Sequence, residues 1–165
     1  MIVELNTNPK YPSATLNAPM HKQITVIETP EDSFSTEVVA NALKLASKGQ
    51  RVLIVQLLKG GIRQGHDRTV NLAQNLDWIR CNLIRQITRP DLNELELHNF
   101  HQLWKHVQMV CQSGEYSAII LDDLSLAINL QLITLEAVSS LLASLPEDLQ
   151  IIITDKTTHP ALLKY

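Results

Sequence analysis

Aromatic residues make up only 4% of this 165-residue chain, so its core has to be built mainly from Leu, Ile, Val and Ala. Cysteine is equally scarce. Cys81 and Cys111 lack metal-ligand spacing and each sits in an apolar-patterned segment, which reads as two buried free thiols. No apolar run approaches the ~20 residues of a membrane span, and Met1–Asn6 has neither the basic nor the apolar region of an export signal. A cytoplasmic chain with no membrane contact is expected. Repeats and low-complexity stretches are missing, and no Ser/His/Asp or Cys/His motif stands in a recognisable context, so no catalytic residue is assigned from motif alone.

What is present fits one globular domain: 45% hydrophobic and 19% charged residues argue against global disorder. The net charge of −3 gives no reason to expect nucleic acid, yet it is unevenly spread. From Lys59 to Arg89 six cations face only Asp67 and Asp77, a local +4 that leaves −7 on the remainder. A basic stretch on an acidic protein marks either a solvated face or a surface for an anionic ligand or acidic partner, with Arg63, Arg68 and Arg80 as its candidates.

Residues 1–23 carry Pro9, Pro12 and Pro19 and read as an extended arm, leaving 24–165 as a single α/β domain. Within it, Ile24–Thr29 reads as a buried strand, residues 34–48 as a helix with Val38, Val39, Ala42, Leu45 and Ala46 on one face, and Val52–Leu58 as a strand buried on both sides. Ser33 or Ser35 would cap that helix, and Gly49 would end it. Residues 66–76 are weakly helical, and Trp78–Leu83 alternates like a strand nearer the sheet edge. A long helix is expected over 91–112 with Leu95, Phe100, Leu103, Trp104, Val107 and Val110 facing inward. Ser117–Asp123 is the clearest strand, followed by a helix over 134–145, a last strand Gln150–Asp155 and a short helical turn. Strands alternating with helices imply a mainly parallel sheet of about five strands, with ligands beyond the strands' carboxyl ends. Thr29, Gln56, Lys59, Asp122, Asp123, Thr154 and Asp155 fall there. Asp122 and Asp123, as neighbours on a strand, are expected to point to opposite faces. Glu94, His98 and His101 share one helix face, too little for a metal site without a ligand from a second element; His106 and His159 stand alone.

Taken together these residues resemble the P-loop corrinoid adenosyltransferases, which transfer the 5′-deoxyadenosyl group of ATP to reduced cobalt in a corrinoid. Val55-Gln56-Leu57-Leu58-Lys59-Gly60 is similar to the family's V-Q-F-I-K-G, and Gly114-Glu115-Tyr116 leads into Ile120-Leu121-Asp122-Asp123-Leu124, similar to its strand ending in L-D-E. Residues Ala127–Val138 look like the helix after that strand, and Ile152-Ile153-Thr154-Asp155-Lys156 resembles I-T-G-R. The likeness runs from about Ile24 to the end of the chain. It implies a three-layer P-loop NTPase-like (RecA/Rossmann-like) fold, a homodimer, and a metal bound with ATP at the acidic pair Asp122-Asp123.

The chemistry departs from that pattern. Where the family writes its phosphate loop G-N-G-K-G-K-T-T, this chain has Thr29, Pro30, Glu31, Asp32, Ser33, Phe34, Ser35 and Thr36. Glycines let backbone N–H groups converge on phosphates and lysine neutralises them. Here no glycine remains, Pro30 has no N–H, and Phe34 stands in the lysine's place. Glu31 and Asp32 face the expected triphosphate, and one like-charge pair at about 4 Å costs roughly 4 kcal/mol at an effective dielectric of 20, about a thousandfold in affinity. Ser35 and Thr36 keep the hydroxyls that would hold Mg²⁺. The corrin-packing F-T-W should fall near Arg85-Gln86-Ile87, where there is no aromatic; the G-R of I-T-G-R is Asp155-Lys156; and Tyr165 ends the chain short of the family's C-terminal region.

Three readings follow. The fold persists as a binding or regulatory platform without ATP-dependent catalysis, its partner a protein or small ligand and its cofactor none; or the chain is an active ATP:cob(I)alamin (corrinoid) adenosyltransferase using Mg-ATP and a corrinoid through an atypical loop; or it senses a nucleotide or corrinoid without turnover. The lost loop, platform and tail favour the first. Gln56, Lys59, Asp122 and Thr154 favour the others.

Overall fold

The computed structural model describes residues 24–30 and 36–165. Six strands and four α-helices follow one another as β1 (Ile24–Glu28), α1 (Thr36–Ser47), β2 (Val52–Gln56), β3 (Val70–Ala73), β4 (Leu76–Arg80), α2 (Glu94–Ser113), β5 (Ala118–Asp122), α3 (Leu124–Asn129), α4 (Leu135–Ala143) and β6 (Gln150–Asp155), with a 3-10 turn at Pro160–Leu162. The sheet order is β1-β6-β5-β2-β4-β3, parallel except for the antiparallel pair β3/β4. β6 therefore separates β1 from β5, keeping the position after Thr29 one strand away from Asp122.

The strand read as buried on both faces, β2, is so, whereas β1, read as a buried strand, lies at the sheet edge with Thr25 and Glu28 exposed, since only β6 pairs with it. Every residue of β2 and β5 is buried, as is all of β6 after Gln150. Their side chains alternate between two cores. Leu53, Val55, Ile119, Leu121, Ile151 and Ile153 meet α2, α3 and α4 on one face. Val52, Ile54, Ala118, Ile120 and Ile152 meet Val38, Ala42 and Ala46 of α1 on the other. These three layers are what a P-loop-like α/β fold requires.

Four further expectations need correction. The sheet has six strands rather than about five, because the stretch read as weakly helical contains β3, which pairs with β4 through a turn in which Asn75 takes φ 64°. The edge strand read at Trp78–Leu83 is shifted to Leu76–Arg80; beyond it a tight turn, Leu83 N–H to the Cys81 carbonyl at 2.9 Å, turns the chain away. The segment read as one helix over 127–138 is two helices, broken where Gln131 takes φ 58°. Leu95 faces solvent, 67% exposed, while Leu92 packs against the core. The reason is local: α2 starts only at Glu94, held by a capping box in which Asn93 accepts from the Glu96 amide and Glu96 accepts from the Asn93 amide. The remaining inward residues of α2, Phe100, Leu103, Trp104, Val107 and Val110, are buried, and Gly49 and Gly114 end their helices with positive φ. Among the described residues no helix is long and apolar enough to cross a membrane. The arm 1–23, the helix-capping serines Ser33 and Ser35, and the loop positions Glu31, Asp32, Ser33, Phe34 and Ser35 lie outside the described residues.

Candidate functional site

At the carboxyl ends of β2, β5 and β6 the structure gathers Lys59, Asp122, Asp123 and Thr154. β5 delivers Asp122 into the sheet edge, where one carboxylate oxygen accepts from Thr154 Oγ1 at 2.8 Å and the other from Lys59 Nζ at 2.8 Å. The same ammonium lies 3.1 Å from Asp123 Oδ2. The two aspartates thus converge on one cation instead of pointing apart. The cause is a single backbone torsion: β5 stops at Asp122 and Asp123 turns into the left-handed region at φ 65°. Burial alone would disfavour the Lys59 ammonium, but Asp122 and Asp123 outweigh it and raise its pKa, so the lysine stays charged.

Asp123 stands at the N-terminus of α3 but makes no side-chain cap there. Asp155 does this from across the sheet: Oδ1 accepts from the Ser125 amide at 2.9 Å and Oδ2 from Ser125 Oγ at 2.6 Å. Ser125 Oγ in turn accepts from the His159 amide at 2.8 Å. Burial pushes the Asp155 carboxyl up to about 7, with Asp123 adding to the shift and the bonds from Ser125 and the Leu126 amide opposing it. Asp155 was expected at the strand ends by topology, whereas Ser125 was not among the expected site residues. The signal for Asp155 was its place in a motif where the resembled family carries glycine.

The other expected positions go elsewhere. Gln56 is buried at the end of β2, but its Oε1 accepts from Trp78 Nε1 at 3.1 Å, outside the carboxylate cluster. Thr29 is buried and its amide donates to the Asp155 carbonyl at 2.8 Å; Pro30 is exposed, and Thr36 is the exposed first residue of α1. Arg63 and Arg68 are exposed, whereas Arg80 is half-buried with its guanidinium stacked 3.8 Å over the Trp78 ring and donating to the Gly60 carbonyl at 3.0 Å. Cys81 and Cys111 are buried free thiols, both pushed up to about 12 by burial. His106 is not isolated, since its ring meets that of His66 with centroids 5.6 Å apart.

Beside Asp123 and Asp155 lies a cavity of about 170 Å³, walled by Gln86, Thr88, Asn129 and Lys156 among others. That is below the roughly 300–1,000 Å³ of typical small-molecule sites. Nor do the residues fit the divalent metal that accompanies ATP in the resembled family. Both oxygens of Asp122 accept from Lys59 and Thr154 and Oδ2 of Asp123 lies against the same ammonium, and among the described residues no group of three or more His, Cys, Asp or Glu side chains could hold a metal ion.

Comparison with known proteins agrees with this architecture. An uncharacterized protein of Nostoc sp. (strain PCC 7120) is 30% identical over 133 residues, covering 74% of this chain and 35% of the relative, so the chain spans about a third of that protein's length. A profile of the ATP:corrinoid adenosyltransferases BtuR/CobO/CobP matches residues 30–165. With its six-stranded, mostly parallel sheet and its strand-end residues in the order of the family's motifs, the chain belongs to the ATP:corrinoid adenosyltransferase family.

Proposed function

We propose that this chain keeps the adenosyltransferase fold as a binding platform and does not carry out ATP-dependent adenosyl transfer. The observation that carries this reading is the charge balance at the strand ends. Two buried carboxylates, Asp122 and Asp123, engage the ammonium of Lys59, and a third, Asp155, lines a cavity with Asp123 while bonding Ser125. A site for a triphosphate needs converging donors and positive charge. The carboxylates outnumber the Lys59 ammonium, and in the sequence the stretch aligned with the family's phosphate loop adds Glu31 and Asp32. Lys59 is already engaged by two carboxylates at 2.8 and 3.1 Å.

A rival reading, an active corrinoid adenosyltransferase with an atypical loop, is favoured by the convergence of Lys59, Asp122 and Thr154, three positions that match the family's motifs. The two readings separate in an adenosyl-transfer assay with Mg-ATP and a chemically reduced corrinoid, followed by the absorbance change of the new cobalt–carbon bond. The platform reading expects no product above a protein-free control. Product whose formation is lost in Asp122→Ala would establish the rival.

A further inference from the structure

Next to the carboxylate cluster, to which the first contributes Lys59, two irregular segments close the carboxyl ends of β2 and β4, residues 57–65 and 81–89. They are clamped to each other. The Ile87 amide donates to the Leu58 carbonyl at 2.8 Å, Arg80 reaches across to the Gly60 carbonyl at 3.0 Å, and Gly60 lies so close to Leu83 that a Cβ there would overlap the Leu83 carbonyl. The first tip is pinned further by Gln64, whose Oε1 accepts from the Gly61 amide at 2.8 Å, and by Arg63 in the left-handed region at φ 54°. A non-glycine residue in that region is a strained choice, kept where the surroundings enforce it. The second tip is anchored by Arg85, which grips Glu96 of α2 through two nitrogens at 2.8 and 2.9 Å.

Each clamped tip presents an isoleucine to solvent, Ile62 at 86% and Ile84 at 91% exposure, the two most exposed large apolar side chains among the described residues. One exposed apolar residue needs no explanation. Two of them, on neighbouring rigid tips at the ligand-binding end of an α/β sheet, do. Arg63 and Arg89 are exposed within these segments and Arg68 just beyond the first, next to the exposed Asp67, while the nearby Asp91 is engaged by Arg85 at 3.0 Å.

We propose that these two tips form a docking surface for an acidic, amphipathic segment of a partner protein, its apolar side chains covering Ile62 and Ile84 and its carboxylates meeting Arg63, Arg68 and Arg89. This rests on the platform reading and names the partner's chemistry. Prior fixing of the tips lowers the ordering cost of association, and the arginines supply specificity and speed of encounter. An anionic bilayer offers a similar mixture of charge and apolar surface. However, the chain outside residues 59–89 carries −7, which a negatively charged surface repels, so the protein segment is favoured.

The test uses the full chain and two fluorescent helical peptides, one built from Leu and Glu and its charge-reversed counterpart from Leu and Lys, together with phosphatidylcholine vesicles containing about a third phosphatidylglycerol. The Leu/Glu peptide is expected to bind. Binding should weaken with added salt and drop at least about tenfold in Ile62→Ser/Ile84→Ser and in Arg63→Glu/Arg68→Glu, a loss of about 1.4 kcal/mol each. Leu95→Ser, at an exposed apolar site on α2, should leave it unchanged. The proposal is overturned by no binding of the Leu/Glu peptide at millimolar concentration, by equal binding of both peptides, by insensitivity to the tip variants, or by vesicle binding with the same variant dependence. A chain that binds Mg-ATP and still binds the peptide through its tips would sink the platform reading alone. A chain that binds neither would sink only the docking surface.

Discussion

The carboxyl ends of β5 and β6 and those of β2 and β4 lie along one edge of one sheet, yet they dispose of their polar and apolar groups in opposite ways. At β5 and β6, Asp122, Asp123, Thr154, Asp155 and Ser125 are engaged with one another or with Lys59, which reaches over from the loop after β2. At β2 and β4 the loops spend their hydrogen bonds on holding each other still, while two isoleucines and several arginines point outward. In an open α/β protein both ends are ligand positions by topology. The contrast shows how a family fold can close one part of that edge through internal charge pairing and leave another open to an outside surface.

That contrast can be broken from the closed side first. Lys59→Met would leave Asp122 and Asp123 buried without their counter-charge, and the expected loss is about 3–5 kcal/mol, read as a drop of roughly 10 °C in melting temperature. A near-wild-type melting temperature would mean that the ammonium is not what holds the cluster together. Next is the clamp of the open side. Gly60→Ala would drive a methyl group into the Leu83 carbonyl, for an expected cost of about 3 kcal/mol in chemical denaturation, since the overlap is with backbone and can be relieved only by separating the two loops.

Asp155 gives a pH-dependent signature. Its folded-state carboxyl, raised to about 7, keeps its proton over a range where an unfolded aspartate, near 3.8, has lost it. The folded state therefore binds more protons between those values. Stability contributed at this site is fully present below about pH 4 and is lost as pH rises through about 7, on the order of 4 kcal/mol. Asp155→Asn should flatten that slope in urea titrations, and an unchanged slope would place the titrating group elsewhere. The smallest effect belongs to the tips: Ile62→Ser and Ile84→Ser should each alter stability by less than about 0.5 kcal/mol. A larger loss would show that those side chains serve the fold and would blur the division between a closed and an open end.

How far the chain could be read depended on where each feature's cause lies. β5 and β6 were legible because both faces are buried, which leaves continuous runs such as Ala118-Ile119-Ile120-Leu121 and Ile151-Ile152-Ile153 in the sequence. β3 was not. It has four residues, an irregularity between Asn71 and Ala73 that breaks its alternation, and an exposed Leu72, so only its pairing with β4 makes it a strand. Lys59, Asp122 and Thr154 lie at the strand ends, where the alternation of strands and helices puts them. The convergence of Asp123 on Lys59 hangs on one φ angle, and the capping of α3 by Asp155 joins residues 30 positions apart; neither leaves a trace in local pattern. Ile62 and Ile84 were passed over for a related reason, since an isolated apolar residue in a loop acquires meaning only when a second one is fixed beside it.

The central claim is that the closed end does not take up a nucleotide, and calorimetric titration with Mg-ATP to millimolar concentration, paired with melting curves in the same buffer, tests it most directly. A ligand present at about a hundred times its Kd would stabilise the chain by roughly 2.7 kcal/mol, a shift of several degrees. The account predicts no saturable heat and no shift. Saturable binding in the wild-type chain that disappears in Asp122→Ala would contradict it.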